Sequence, residues 1–273
     1  MTTAAATASD DLCRYHAEAG VAVLTLHNPP ANTYSYEMMQ ALDAAILRAR
    51  MDEDVHVIVL TGAGEKFFCA GADIAMLDRV TPAFKYSFCL HANETLLRLE
   101  QTPKLVIAAI NGHCVGGGLE VALAADLRVA PAGATFKLGL PEVSLGVLPG
   151  TGGTQRLPRV LGAARALELM VKAQNLSVEQ AHGLGLVNDL LTPQAGQSFL
   201  TAALIYARGF CPPERAAMAV GRIKRAVQTG SELPLSAGLA VERELQQQLF
   251  QSADAKEGIS AYVQKRPARF QGK

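Results

Sequence analysis

The sequence predicts an α/β protein. Three short runs, Val21 to Leu26, Val55 to Leu60 and Leu105 to Ile110, are nearly continuous in Val, Ile, Leu and Ala, the pattern of strands covered on both faces. Helical patterns stand between them: Met39, Leu42 and Ile46 recur at helical spacing, and a long helical stretch covers about Ala83 to Glu100. Strand, helix, strand, helix, strand in that order implies parallel strands joined by right-handed crossovers. Glycine-rich loops follow the strand ends, where sheets of this class place their ligands.

Taken in order, the opening MTTAAATASDD has no basic segment followed by a long apolar core, so it reads as a loose tail over residues 1–12 rather than a secretory signal. Asn28-Pro-Pro-Ala-Asn32 breaks the first crossover before its helix. The loop TGAGEKFFCAGADI, Thr61 to Ile74, begins Gly62-Ala-Gly64 like a dinucleotide fingerprint, but Phe67 stands where the third glycine belongs, and the sequence has no P-loop Gly-Lys-Ser/Thr. Gly71 suits a tight turn into a short helix from Asp73, which leaves the Ala72 amide exposed. Asp73 reads as the N-cap of that helix.

NGHCVGGGLEVALAA, Asn111 to Ala125, is the stretch around which the rest is arranged. Gly116, Gly117 and Gly118 allow a sharp turn and close approach, and Leu119 to Ala125 reads as a buried helix. Gly117 and Gly118 fall in its first turn, where amides lack helical partners and lie at the positive end of the dipole. Such a triplet also serves simply to pack a helix on a strand. Glu120 follows among Val115, Leu119, Val121, Ala122 and Leu123, and an unpaired carboxylate in apolar sequence is costly enough to imply a use.

Asp126 to Ala130 reads as another strand, followed by a loop at Pro131 to Ala134. In LGLPEVSLGVLPGTGGTQRLPR, Leu138 to Arg159, Glu142 is flanked by Leu138, Leu140, Val143 and Leu145, and Gly150, Gly152 and Gly153 open a helix around Gln155. Alone, Glu142 reads as structural or exposed. Beside Glu120 it completes a pair that a dry site can drive to different pKa values, one acid and one base. From Ala163 onward the pattern is helical over Ala163–Ala173, Pro193–Phe210, Glu214–Val227 and Leu235–Gln251. The division is therefore a tail (1–12), an α/β core (13–195) and a helical C-terminal region (196–273) that packs over the site or over another subunit.

With 273 residues and 49% hydrophobic content the chain can bury a large core. A formal charge of zero and a pI near 7 give no bulk electrostatic case for nucleic acid or membrane surfaces. The five cysteines are scattered without metal-ligand spacing, which suggests a reducing compartment and neither disulfides nor structural zinc. No apolar run reaches the length of a membrane span, so a soluble, cytoplasmic protein is expected.

Four stretches together resemble the enoyl-CoA hydratase/isomerase, or crotonase, superfamily over almost the full chain: AGADI (Ala70 to Ile74), NGHCVGGGLEVALAAD (Asn111 to Asp126), GLPEVSLGVLPGTGGTQRLPR (Gly139 to Arg159) and KEGISAYVQKRPARF (Lys256 to Phe270). The resemblance implies a crotonase-like spiral of ββα turns with a helical C-terminal trimerisation region, and a homotrimer or a homohexamer built as a dimer of trimers. It implies that the backbone N–H groups of Ala72 and Gly117 form an oxyanion hole for the thioester carbonyl of an acyl-CoA. Glu120 and Glu142 match the two glutamates of family hydratases, which hold one water between them. Gly150 matches a residue whose amide helps position that water. By the same resemblance Lys66, Ala70, Asp73, Ile74, Tyr262 and Lys265 fall at CoA or substrate contacts, and the segment Ala75 to Leu97 lines the acyl pocket.

Two departures stand out: the loop Pro29 to Thr33 lacks a lysine that many hydratases carry, and two extra residues lie between Ala130 and Gly139. Isomerases of the family generally keep a carboxylate at the Glu142 position and lack one at Glu120, so the pair favours hydration of a 2-trans-enoyl-CoA, without metal or redox cofactor. The alternatives are a Δ3–Δ2 enoyl-CoA isomerase and a non-catalytic, RNA-binding homologue.

Overall fold

The computed structural model describes residues 11–273; most of the expected tail lies outside the described residues. In chain order the first elements are β1 (Cys13–Glu18), β2 (Val21–Leu26), α1 (Tyr36–Met51), β3 (Val57–Gly62), β4 (Phe67–Cys69), α2 (Ile74–Leu77), α3 (Pro82–Glu100) and β5 (Leu105–Ala109). Next come β6 (His113–Val115), α4 (Gly117–Leu123), β7 (Leu127–Pro131), β8 (Lys137–Gly139), a 3-10 turn (Glu142–Leu145), α5 (Gly153–Leu161) and α6 (Ala163–Val171). The last are β9 (Leu176–Ser177), α7 (Val178–Gly183), β10 (Asp189–Leu191), α8 (Phe199–Arg208), α9 (Ala217–Gly230), α10 (Leu235–Phe250) and α11 (Ala253–Val263).

Two sheets carry the fold. The larger runs β1-β2-β3-β5-β7-β10, and from β2 onward its strands are parallel, as the alternating pattern requires. The two-residue periodicity of β3 explains its continuous hydrophobicity: Ile58 and Leu60 enter a core shared with α1, α3 and α4, whereas Val57 and Val59 face Ala203 and Ala207 of α8. Its first strand, β1, pairs antiparallel with β2 in a hairpin that the sequence pattern did not announce, because CRYHAE is polar along its exposed edge.

The smaller sheet, β4-β6-β8-β9, positions the site. Strands β4, β6 and β8 run parallel, Cys69 beside Cys114 and Val115 beside Gly139, with a register shift in β4 between Phe67 and Cys69. Three loops therefore leave the same end of one sheet: Ala70 to Ala72 after β4, Gly116 and Gly117 after β6, and Leu140 to Glu142 after β8. A Cβ at Gly118 would overlap the Cys69 carbonyl, so the missing side chain lets α4 start hard against β4.

Asn32, buried before α1, ties the sheets together by donating from Nδ2 to the carbonyls of Ala63 and Phe67, both at 2.9 Å. The helix expected from Pro193 begins only at Phe199, because Ser198 caps it by accepting the Thr201 N–H and the preceding residues form a turn. At the far end of α4, Asp126 accepts from the Val106 N–H (2.7 Å), Gln228 Nε2 (2.7 Å) and Lys224 Nζ (2.8 Å), joining β5 and β7 to α9. Among the described residues no helix is long and apolar enough to cross a membrane, and the five cysteines are free.

Lys224 and Asp126 form a buried ion pair, and removing the cation strands a carboxylate away from water. Lys224→Met should lower unfolding free energy by about 3–5 kcal/mol, read as a lower urea midpoint.

Candidate active site

Glu120 lies on the first turn of α4, yet it is 2% exposed. Burial alone would drive its proton on, and it does push the pKa up; the opposing influence comes from α5. Glu120 Oε1 accepts the Thr151 and Gly153 N–H groups, both at 2.7 Å. These amides belong to the open N-terminus of α5, whose N-cap Gly152 is left-handed (φ 108°) and supplies no capping side chain. The carboxylate takes the place of that cap, where unpaired amides and the helix dipole favour negative charge.

Glu142 opens the 3-10 turn after β8. Its Oε1 would lie 3.2 Å from a Cβ on Gly116, which places the carboxyl beside the start of α4. The other oxygen, Oε2, is buried without a hydrogen-bond partner among the described residues. Burial raises the Glu142 pKa to about 7, its own backbone amide offsets this in part, and the charge of Glu120 adds to the rise. The two carboxyls stand close enough for the charge of Glu120 to raise the pKa of Glu142, and their settings are unequal. Glu120 is held by amides, and Glu142 keeps an unsatisfied oxygen and a proton near neutral pH.

The third component is a pair of free amides. Gly71 turns the chain after β4 (φ 91°), and a Cβ there would come 3.0 Å from the Gly117 nitrogen, so the two loops abut. Among the described residues neither the Ala72 nor the Gly117 N–H has a backbone acceptor, whereas neighbouring amides do: Asp73 donates to the Tyr34 carbonyl, and Gly116 to Gly139. Two uncommitted donors thus lie on abutting loops, one of them in the same first turn of α4 as Glu120. Such an arrangement can polarise a carbonyl while a proton and a water are handled nearby.

Gly150 sits one residue before Thr151, against Cys89 of α3. Tyr34 and Thr151 belong to the same cluster, and sequence reasoning missed both. Thr151 lay unremarked among the glycines of Gly150 to Gly153, and Tyr34 reads in sequence as one more apolar position before a helix.

The sequence matches the family model for enoyl-CoA hydratase/isomerase over residues 16–273. The chain belongs to this family. The short-chain-enoyl-CoA hydratase of Clostridium acetobutylicum is 37% identical over 91% of the chain and 93% of its own length. The mitochondrial methylglutaconyl-CoA hydratase of Rattus norvegicus is 36% identical, covering 93% and 80%. A solved enoyl-CoA hydratase of Geobacillus kaustophilus HTA426 superposes with a TM-score of 0.91 at 43% identity, covering 96% of this chain and 97% of that one. The α/β architecture is accordingly the crotonase fold.

The remaining expected contacts divide into two groups. Ala70 borders the Ala72 turn, its N–H donating to the Ala31 carbonyl, and Asp73 caps α2 by accepting the Ala75 and Met76 N–H groups. Lys66 is exposed over the Phe67 ring, and Ile74 is 56% exposed, so both lie on the open rim of the same loop. Tyr262 stands in the last turn of α11 and Lys265 just after it; both are exposed, Tyr262 at 86%, and among the described residues neither makes a hydrogen bond to the loops of the site.

A carboxyl whose folded pKa exceeds its unfolded value keeps a proton that the unfolded chain releases, so the native state loses stability as pH rises between the two. For Glu142 that window runs from 4.5 to about 7. Glu142→Gln should flatten the decline of the urea midpoint across this window relative to the parent.

Proposed function

We propose that the protein is an enoyl-CoA hydratase, adding water across the 2-trans double bond of an enoyl-CoA thioester to give the 3-hydroxyacyl-CoA. The observation that carries this reading is the unequal pair of carboxyls beside two free amides. The Ala72 and Gly117 N–H groups receive the thioester oxygen, where negative charge develops as the β-carbon is attacked. Glu120, kept in its charged form by the α5 amides, takes a proton from the water that attacks the β-carbon. Glu142, protonated near neutral pH, delivers its proton to the α-carbon, and the proton taken by Glu120 passes back to Glu142 before the next turnover, so the net addition is one water. Gly150 borders that water. The chemistry is acid–base throughout and calls on no metal or electron carrier.

Lys66, Ala70, Asp73 and Ile74 form the rim over which the CoA moiety enters. In this reading the chain works as a homotrimer or a homohexamer, in which Tyr262 and Lys265 reach the CoA of a neighbouring copy. The acyl pocket is lined by the segment Ala75 to Leu97. Family relatives named for different acyl groups leave the size of that group to the lining of this pocket.

With crotonyl-CoA, loss of the conjugated thioester absorbance should be rapid for the parent and reduced about 100- to 10,000-fold in kcat by either Glu120→Ala or Glu142→Ala. As an isomerase the protein would show no hydration, and double-bond migration would survive Glu120→Ala. The parent's kcat/KM should also fall as pH rises past about 7, where Glu142 gives up its proton.

A further inference from the structure

Tyr34 stands where the halves of the site meet. It is 4% exposed, just ahead of α1, and its ring centroid lies 5.9 Å from that of Phe88 on α3. Its main chain grips the Ala72 turn from both sides: the Tyr34 N–H donates to the Gly71 carbonyl at 2.9 Å, and its carbonyl accepts the Asp73 N–H at 3.0 Å. Its hydroxyl lies 2.8 Å from Thr151 Oγ1. The same hydroxyl occupies the space that a Cβ on Gly117 would need.

Glu120 in its charged form only accepts. The Thr151 amide donates to its Oε1 at 2.7 Å. The Thr151 hydroxyl faces Tyr34, whose own hydroxyl is held in its protonated form by burial first and then by the Glu120 charge. The contacts run from the Tyr34 hydroxyl to the Thr151 side chain, and from the Thr151 amide to Glu120.

We propose that Tyr34 is a positioning residue for the base: by holding the Thr151 hydroxyl it fixes the turn whose Thr151 amide binds the Glu120 carboxylate, and through its main chain it braces the loop that presents the Ala72 amide. The inference rests on the hydratase reading only in calling Glu120 the base. A ring that merely filled space would need no hydroxyl, and Phe88 shows that phenyl groups fit this wall.

Tyr34→Phe removes the hydroxyl and keeps the ring. With crotonyl-CoA, kcat should fall roughly three- to tenfold with KM within about twofold. The acid limb of the kcat/KM profile should move to higher pH by up to about one unit, because the charged form of Glu120 loses support. Thr151→Val should move the limb at least as far, Thr151→Ser should restore it, and the double variant Tyr34→Phe/Thr151→Val should match Thr151→Val alone. The carboxyl titration of Glu120, followed by carbon-13 NMR in the parent and in Tyr34→Phe, gives the same test without turnover. An upward shift there sustains the role of Tyr34 even if the parent hydrates nothing, which would defeat the hydratase reading alone. An acid limb and an NMR titration that both stay at the parent's pH in Tyr34→Phe, or effects of the two substitutions that simply multiply, would overturn the proposal.

Discussion

A carboxylate inside a protein needs donors, and the site is built around supplying them to Glu120. Taking an ionised carboxylate out of water without partners costs many kcal/mol. Here two backbone amides from the Thr151 turn take up its charge. This demand fixes the surroundings. The N-terminus of α5 must arrive uncapped, which is why Gly152 and Gly153 stand there. Gly153 must also lack a side chain, since a Cβ would press to 3.1 Å from Glu120 Cγ. Thr151 must keep its amide free for the carboxylate, and its hydroxyl is held by Tyr34.

Glu142 meets the same demand with less support. It leaves β8 on the neighbouring loop, is buried less deeply, and has one oxygen without a donor. Without comparable support it retains its proton to about pH 7. In the proposed mechanism, two chemically identical side chains become an acceptor and a donor of protons through the number of N–H groups each one meets. The small sheet serves that division, because its parallel strands send the Ala72, Gly117 and Glu142 loops off the same end.

The larger sheet was legible in the sequence because strands buried on both faces must be apolar at every position: β2 occupies the expected Val21 to Leu26, and β3 and β5 begin or end within two residues of the expected runs. The helices α1, α3 and α4 were legible through periodicity, and Asp73 through its capping chemistry. The smaller sheet was not. Its strands span two or three residues, too short for any period to register, and their pairing is set by tertiary packing around Gly118 and the Ala70–Ala72 turn. Glu120 and Glu142 stood out as charges in apolar runs. Tyr34 and Thr151 did not, because a tyrosine before a helix and a threonine among glycines have ordinary local explanations. Their function depends on a contact 117 residues apart in the chain.

The central claim is that the two carboxyls act in concert to add one water to the substrate, Glu120 activating the hydroxyl and Glu142 supplying the α-proton. The most direct measurement is the mass spectrum of the product formed from crotonyl-CoA in deuterated water. The account predicts a thioester heavier by one solvent water, with a single solvent deuteron fixed on the α-carbon. An intact double bond in a new position without added water, or release of free CoA, would contradict it.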